Sequence, residues 1–376
     1  MNVLHIISGG DTGGAKTLMV TLLSQFNQDP EMSVTLLCMM EGDFARTARA
    51  AGISVKIIEQ NRRYDLSTAW KIAAYVRENS FDIINFHGAR ANVTAVFLRF
   101  LLRGRLFCTT VHSDYALDFI DSRYKRWVYT PLNRFALKRF KYLLAVTENM
   151  KKTLVSRGFK AERIHVIYNG IRTDIDRPVA DQKTFLAQYG LKADRNALYI
   201  GIAARLQQVK GIDIFIRGCQ AARDKLPNAV FLIAGEGTEK ARYETLVTAC
   251  GLDDCVKFLG HVTDIFSFYN AIDINCLTSR SEGFPSSLLE GGLMRKPTIS
   301  AACGGVPEMI EDGRSGLLFP IGNADAFADA LCRLANDSAL RETLGANLRA
   351  NVIEKFSATQ MAETHRQLYR KFLTER

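Results

Sequence analysis

Short apolar runs alternate with helix-period segments along the whole chain, and the series runs through twice. In the first pass Val3–Ile7, Val34–Cys38, Val55–Ile58, Ile83–Phe86, Leu106–Val111 and Leu143–Val146 read as strands, with Lys16–Phe26 and Ser67–Arg77 among the helices between them. In the second, the strands are Ala197–Ala203, Val230–Ala234, Val256–Leu259, Ile272–Cys276, Thr298–Ser300 and Leu317–Phe319. Strands separated by helices at this spacing form a parallel sheet covered on both faces, so the expected class is α/β with two doubly wound, Rossmann-like domains. A chain of 376 residues is long enough for two cores. The stretch NGIRTDIDRPVAD puts the junction near residue 173, giving domains 1–172 and 173–356. A last helix, 357–376, starts at the N-cap residue Ser357 and is expected to complete the first domain.

Composition narrows the class further. With 47% apolar and 23% charged residues and no biased tract, the chain is globular. It opens on MNVLHIISGG, without a basic leader, and no segment reaches the ~18 continuous apolar residues of a membrane-spanning helix, so a cytoplasmic location is expected. Eight cysteines without a CxxC pair fit buried free thiols, and no structural metal is expected. The charge is lopsided: residues 1–175 hold 25 Lys+Arg against 15 Asp+Glu, whereas residues 176–376 hold 24 of each. The basic half therefore points to an anionic partner, a membrane surface, a phosphorylated acceptor or nucleic acid, and no motif that reads nucleic acid accompanies it.

Ligands of doubly wound sheets bind beyond the C-terminal strand ends, so the loops there are the candidate sites. After the first strand, SGGDTGGAKT (residues 8–17) fits neither the dinucleotide fingerprint nor the P-loop, yet its glycines either bring backbone N–H groups to a phosphate or simply make a turn. His87 and His112 end separate strands of the same sheet, and His112, beside Ser113 and Asp114, is the better functional candidate. In the second half, GIAARLQQVKGID sets Arg205 and Lys210 around a loop before Gly211, where two cations and a helix start could meet one diphosphate. The next strand ends in AGEG, with close-approach turns at Gly235 and Gly237. In SRSEGFPSSLLEGGL, Glu290 has two readings. It closes a capping box with Ser287, or it accepts from ribose hydroxyls while Glu282 accepts from sugar hydroxyls.

These motifs, in this order across both halves, resemble glycosyltransferase family 4, a large retaining family with the two-domain GT-B fold. The carrying residues are Glu282 and Glu290 in SEGFPSSLLEGGL, Arg205-x4-Lys210-Gly211, the pair Gly13–Gly14, His112 in TTVHSD, the turn Gly304–Gly305 in ACGGVPEMIEDGRSGLLF, and YNGI in the linker. The resemblance implies two domains facing across a cleft, with the acceptor on the N-terminal side. It implies that Glu290, with Ser287 and Leu288 in the same helix start, holds the nucleotide, that Arg205 and Lys210 neutralise the diphosphate, and that Glu282 holds donor-sugar hydroxyls. It also implies that His112 lies beside the reacting sugar, and that Gly13, Gly14 and Gly235 meet the donor through backbone. Gly291 and Gly292 depart from the family's usual residues and would loosen their helix, and Lys16 stands at a position that is often acidic.

Two cations and a helix start can stabilise a leaving diphosphate without metal. The expected activity is thus a retaining, metal-independent glycosyltransferase, hexosyl or N-acetylhexosaminyl in type. It would move a sugar from a nucleotide-diphosphate sugar, a UDP-sugar above all, to a glycan or lipid-linked acceptor in polysaccharide or glycolipid assembly. The donor is a substrate, and no cofactor is expected. The alternatives are a nucleotide-sugar epimerase or hydrolase on the same scaffold and a non-catalytic partner of that fold. Asp174-Ile-Asp176 spells a metal-binding DxD, but its linker position favours a structural role. In SRYKRWVYTPLNRFALKRFKY, Thr130–Pro131 reads as a helix start, with Leu132, Phe135, Ala136 and Phe140 on one stripe and Arg134, Lys138 and Lys141 opposite. That basic face is either merely solvated or, with Trp127, Tyr129 and FLRFLLRGRLF (97–107), rests on anionic lipid peripherally.

Overall fold

Continuous apolar runs become fully buried strands. Val3, Leu4 and Ile6 are entirely enclosed in β1 (Asn2–Ile7), as are Ile200 and Ile202 in β8 (Leu198–Ala203). The computed structural model describes residues 1–10, 14–60, 65–116, 123–175 and 178–375. They form two units, Met1–Arg172 with Ser357–Arg376, and Thr173–Phe356.

The first unit adds β2 (Ser33–Cys38), β3 (Ser54–Ile57), β4 (Ile83–His87), β5 (Leu106–Val111), β6 (Tyr142–Ala145) and β7 (Ile164–Val166), in the sheet order β3-β2-β1-β4-β5-β6-β7. The second adds β9 (Ala229–Ala234), β10 (Val256–Gly260), β11 (Ile274–Leu277), β12 (Thr298–Ala301) and β13 (Leu317–Phe319), in the order β10-β9-β8-β11-β12-β13. Every pairing is parallel. Both sheets are Rossmann-like, and in each the strand order reverses once, at β1/β4 and at β8/β11. Those reversals are the crevices where such sheets take ligands.

The chain returns to the first unit through a tight crossing at YNGI. A Cβ on Gly170 would lie 2.3 Å from the Ser357 carbonyl, and Ala358 N–H donates to Ile171 O at 2.8 Å. Ser357 then caps the helix Ala358–Thr374 by accepting from Gln360 N–H, as its sequence position suggests. That helix lies on the sheet through Phe372, stacked on Tyr142 at 3.8 Å, and Tyr369, whose hydroxyl accepts from Asn85 at 2.8 Å. Both side chains are fully buried, worth about 1.5–3 kcal/mol each.

Three sequence expectations need correction. β7 escaped notice because it is a three-residue edge strand with a histidine at its centre. Pro131 does not start a helix: it sits inside Arg123–Leu137, the eight preceding residues having already entered the helix. The buried stripe of that helix is Asn133, Ala136 and Leu137, continued by Phe140, because Asn133 is drawn inward to accept from the Asn92 amide. Phe135 is turned out instead. All eight cysteines are free thiols, six of them buried. Among the described residues, no helix is long and apolar enough to cross a membrane.

Candidate functional site

At the β8/β11 reversal, two loops are tied together by backbone. Gly211 adopts φ +63, and a Cβ there would sit 2.1 Å from the Thr278 carbonyl. Thr278 Oγ1 donates to Gly211 O at 2.8 Å, and Arg280 N–H donates to Val209 O at 2.8 Å. The Arg280 guanidinium forks onto Asp213 at 2.9 and 2.6 Å, pinning the start of the following helix. This stitching brings Lys210 and Glu282 together, with Nζ donating to Oε1 at 2.6 Å. The same oxygen accepts from Ser279 Oγ at 2.5 Å. The carboxylate is only 8% exposed and the ammonium 19%, so neither charge is stable there without a counter-charge. Arg205, on the same loop as Lys210, is exposed, and its guanidinium makes no hydrogen bond or ion pair with a described residue.

The glycines around this pair approach neighbouring loops, which is a finding the sequence did not show. A Cβ on Gly235 would stand 2.0 Å from Ala204 O, on Gly237 2.3 Å from Leu206 O, and on Gly304 1.7 Å from Glu282 O. Each removes a side chain where two backbones touch, so the loops after β8, β9, β11 and β12 nest in one layer. Gly305 follows in the same turn and leads into the short helix Val306–Met309.

The capping box at Ser287–Glu290 does not form. The helix runs Ser286–Leu293 with Pro285 at its N-cap and no side-chain cap, which puts Ser287 two residues too deep to cap it. Glu290 instead accepts from the Tyr269 hydroxyl at 3.2 Å, and burial, reinforced by this carboxylate, drives the Tyr269 phenol far above its usual range. Leu288 is fully buried, so only its backbone could serve a ligand. Gly291 and Gly292 do not loosen the helix. A Cβ on the first would meet Asn275 Nδ2 at 2.6 Å and on the second Val352 Cγ2 at 2.8 Å, so their smallness lets the helix pack closely.

In the first unit, Gly14 opens the helix Gly14–Asn27, and Gly13 lies outside the described residues. Lys16 is bound to Asp43 and Thr47, which gives this basic residue a partner within its own unit. His87 ends β4 and His112 follows β5, with His87 Nδ1 and His112 Nε2 3.0 Å apart. A third histidine continues the line: His5 Nδ1 lies 3.0 Å from His87 Nε2. His5 was missed because it stands mid-strand in an apolar run; the signal was the strand alternation that puts all three on one sheet face. Asp114 is held by the Arg157 guanidinium, at 2.6 Å from Nη2. Of the DxD pair, Asp174 is exposed and Asp176 lies outside the described residues. Among the described residues, no group of three His, Cys, Asp or Glu is placed to hold a metal ion.

On the helix Arg123–Leu137, Trp127 and Phe135 are 85% and 47% exposed, and Pro131 between them is exposed too, which makes an outward i, i+4, i+8 stripe. The neighbouring helix Gly88–Leu101 exposes Phe97 and Phe100, and its Arg99 guanidinium donates to the Arg139 carbonyl. Arg139 itself lies over the Phe135 ring at 4.6 Å.

Two parallel-sheet Rossmann-like units, with cations and carboxylates gathered at a strand-order reversal, define the GT-B class of glycosyltransferases. Residues 12–175 match the family described as Glycosyltransferase Family 4, and residues 184–351 match Glycosyl transferases group 1. The chain belongs to this glycosyltransferase family. It is 28% identical over 255 residues to EpsD of Bacillus subtilis (strain 168), a stretch that spans 66% of each chain, just under two thirds. It is 25% identical over 315 residues to the capsular polysaccharide biosynthesis glycosyltransferase CapM of Staphylococcus aureus, 83% of this chain and 82% of that one. A crystal structure of Anabaena Alr3699/HepE in complex with UDP and glucose superposes with a TM-score of 0.85 at 21% identity, over 99% of this chain and 100% of that one.

Proposed function

We propose that this protein transfers a sugar from a nucleotide-diphosphate sugar, a UDP-sugar above all, to a glycan or lipid-linked acceptor in polysaccharide or glycolipid assembly, with retention and without a metal. The observation that carries the reading is the Lys210–Glu282–Ser279 cluster at the β8/β11 reversal, whose Lys210 is on the same loop as Arg205, a residue whose guanidinium has no partner among the described residues. Arg205 is available to an incoming diphosphate, and Lys210 is already oriented beside it by Glu282. As the sugar–oxygen bond breaks, both cations stabilise charge growing on the leaving phosphate. Glu282 keeps Oε2 for a sugar hydroxyl, Glu290 accepts from the ribose while holding Tyr269, and His112 is a contact of the reacting sugar. The kinship with CapM supports a polysaccharide setting, and the UDP in the Anabaena structure supports the choice of base.

Turnover of a UDP-sugar panel with and without EDTA tests this reading. Release of nucleoside diphosphate is expected only with acceptor present, undiminished by EDTA. Loss that Mg²⁺ or Mn²⁺ restores would refute the metal-free scheme, and release without acceptor would favour a hydrolase.

The acceptor proposal includes an anionic lipid surface, because the exposed Trp127, Phe135, Phe97 and Phe100 are interleaved with Arg134, Lys138 and Arg139 on the basic unit. Vesicles containing anionic lipid are expected to pull the protein down at low salt, and Trp127→Ala with Phe100→Ala to reduce this several-fold. Those side chains are exposed, so folding is unaffected. Binding to neutral vesicles equal to that to anionic ones would leave a soluble acceptor.

A further inference from the structure

His5, His87 and His112 stand on three adjacent strand positions, β1, β4 and the end of β5. The register pairs Ile7 with His87 and His87 with Thr110. Each step along the line therefore moves one strand across and two residues toward the C-terminal sheet edge, so the three imidazoles share one face on a diagonal. Their rings are stacked, with centroids 5.2 and 5.3 Å apart and planes inclined by 15° and 29°. Both contacts join an Nδ1 to an Nε2 at 3.0 Å. His5 is fully buried and His87 is 1% exposed, while His112 reaches the partly exposed edge. The inner end is closed: His5 Nε2 is buried, has no hydrogen-bond partner among the described residues, and faces the rings of Phe26 and Tyr369.

We propose that His87 and His5 are positioning residues that lock the tautomer and ring plane of His112. A neutral imidazole has one N–H and one lone pair. If His5 donates from Nδ1, then His87 must donate from Nδ1 and His112 must hold its proton on Nδ1. If His112 donates from Nε2, the protons of all three are on Nε2. No mixed set satisfies both bonds, so the three rings share one tautomer, and the buried Nδ1 of His112 is the ring nitrogen outside the line in either sense. Burial, seconded by neighbouring histidines, holds His5 at about 3, and burial pushes His87 well below its ordinary range, so both stay neutral in the working range. Because His5 ends the line without a described partner, the line orients His112 and offers no exit for a proton through the sheet.

Its link to catalysis rests on the reading of His112 as a sugar contact, and two measurements separate the inference from that reading. Imidazole ¹⁵N spectra of the whole protein report each tautomer directly. His5, His87 and His112 are expected to show one shared, unaveraged tautomer, and His87→Phe, which keeps a ring in the gap, to leave His112 with averaged shifts. Averaged or unlike tautomers in the unsubstituted protein would overturn the lock. In parallel, His87→Phe is expected to lower kcat/KM about tenfold, with His87→Gln, which can both donate and accept, recovering most of it. Wild-type kcat/KM in His87→Phe would overturn the positioning role. Full activity in His112→Ala would sink the sugar-contact reading while leaving a shared tautomer in the spectra intact.

Discussion

Arg205→Ala is expected to lower kcat by on the order of 10²-fold at saturating donor and to leave the melting temperature unchanged. The side chain is exposed and bonds to no described residue, so its removal takes a cation from the leaving group and nothing from the fold. Lys210→Ala should reach a similar kcat defect with an added cost of about 1–3 kcal/mol, because it strips the main partner from a carboxylate only 8% exposed. The two variants thus separate by denaturant titration although they agree in rate. Near-normal kcat for Arg205→Ala would remove it from leaving-group stabilisation.

Gly304→Ala is expected to be the most damaging single-methyl change in the second unit. At φ +54 an alanine bears about 1–2 kcal/mol of left-handed backbone cost, and its Cβ would come 1.7 Å from the Glu282 carbonyl, a backbone atom that cannot rotate aside. The loop carrying Glu282 must move, so kcat/KM should fall by roughly 10²-fold, since a misplacement of about 1 Å costs that much in a preorganised site. Gly313→Ala is the control, with a similar φ of +73 but open space around the new Cβ. It should lose stability by the backbone term alone and keep its activity. Equal melting temperatures and rates for the two variants would show that contact with Glu282 does not set the loop.

Much of this was legible in the sequence because it depends on local pattern. The double βα series, the cap at Ser357 and the charged residues Arg205, Lys210, Glu282 and Glu290 need only periodicity, turn chemistry and position after a strand. The same local logic misled at Ser287, where a capping spacing lay two residues past the true N-cap, and at Pro131, where a helix-start residue was absorbed by a helix begun upstream.

The sequence by itself determined the two parallel sheets, the kind of residue at each strand end and the excess of positive charge in the first half. Only tertiary structure decided which of those residues meet. Lys210 finds Glu282, 72 positions away, because the loops after β8 and β11 are neighbours at the strand-order reversal. His5 joins His87 because β1 pairs with β4 in that register. Gly235, Gly237 and Gly304 each stand against a carbonyl of a neighbouring loop. Strand order brings residues far apart in the chain into contact, and it is fixed by the joint packing of all the helices on a sheet, a quantity no local stretch contains.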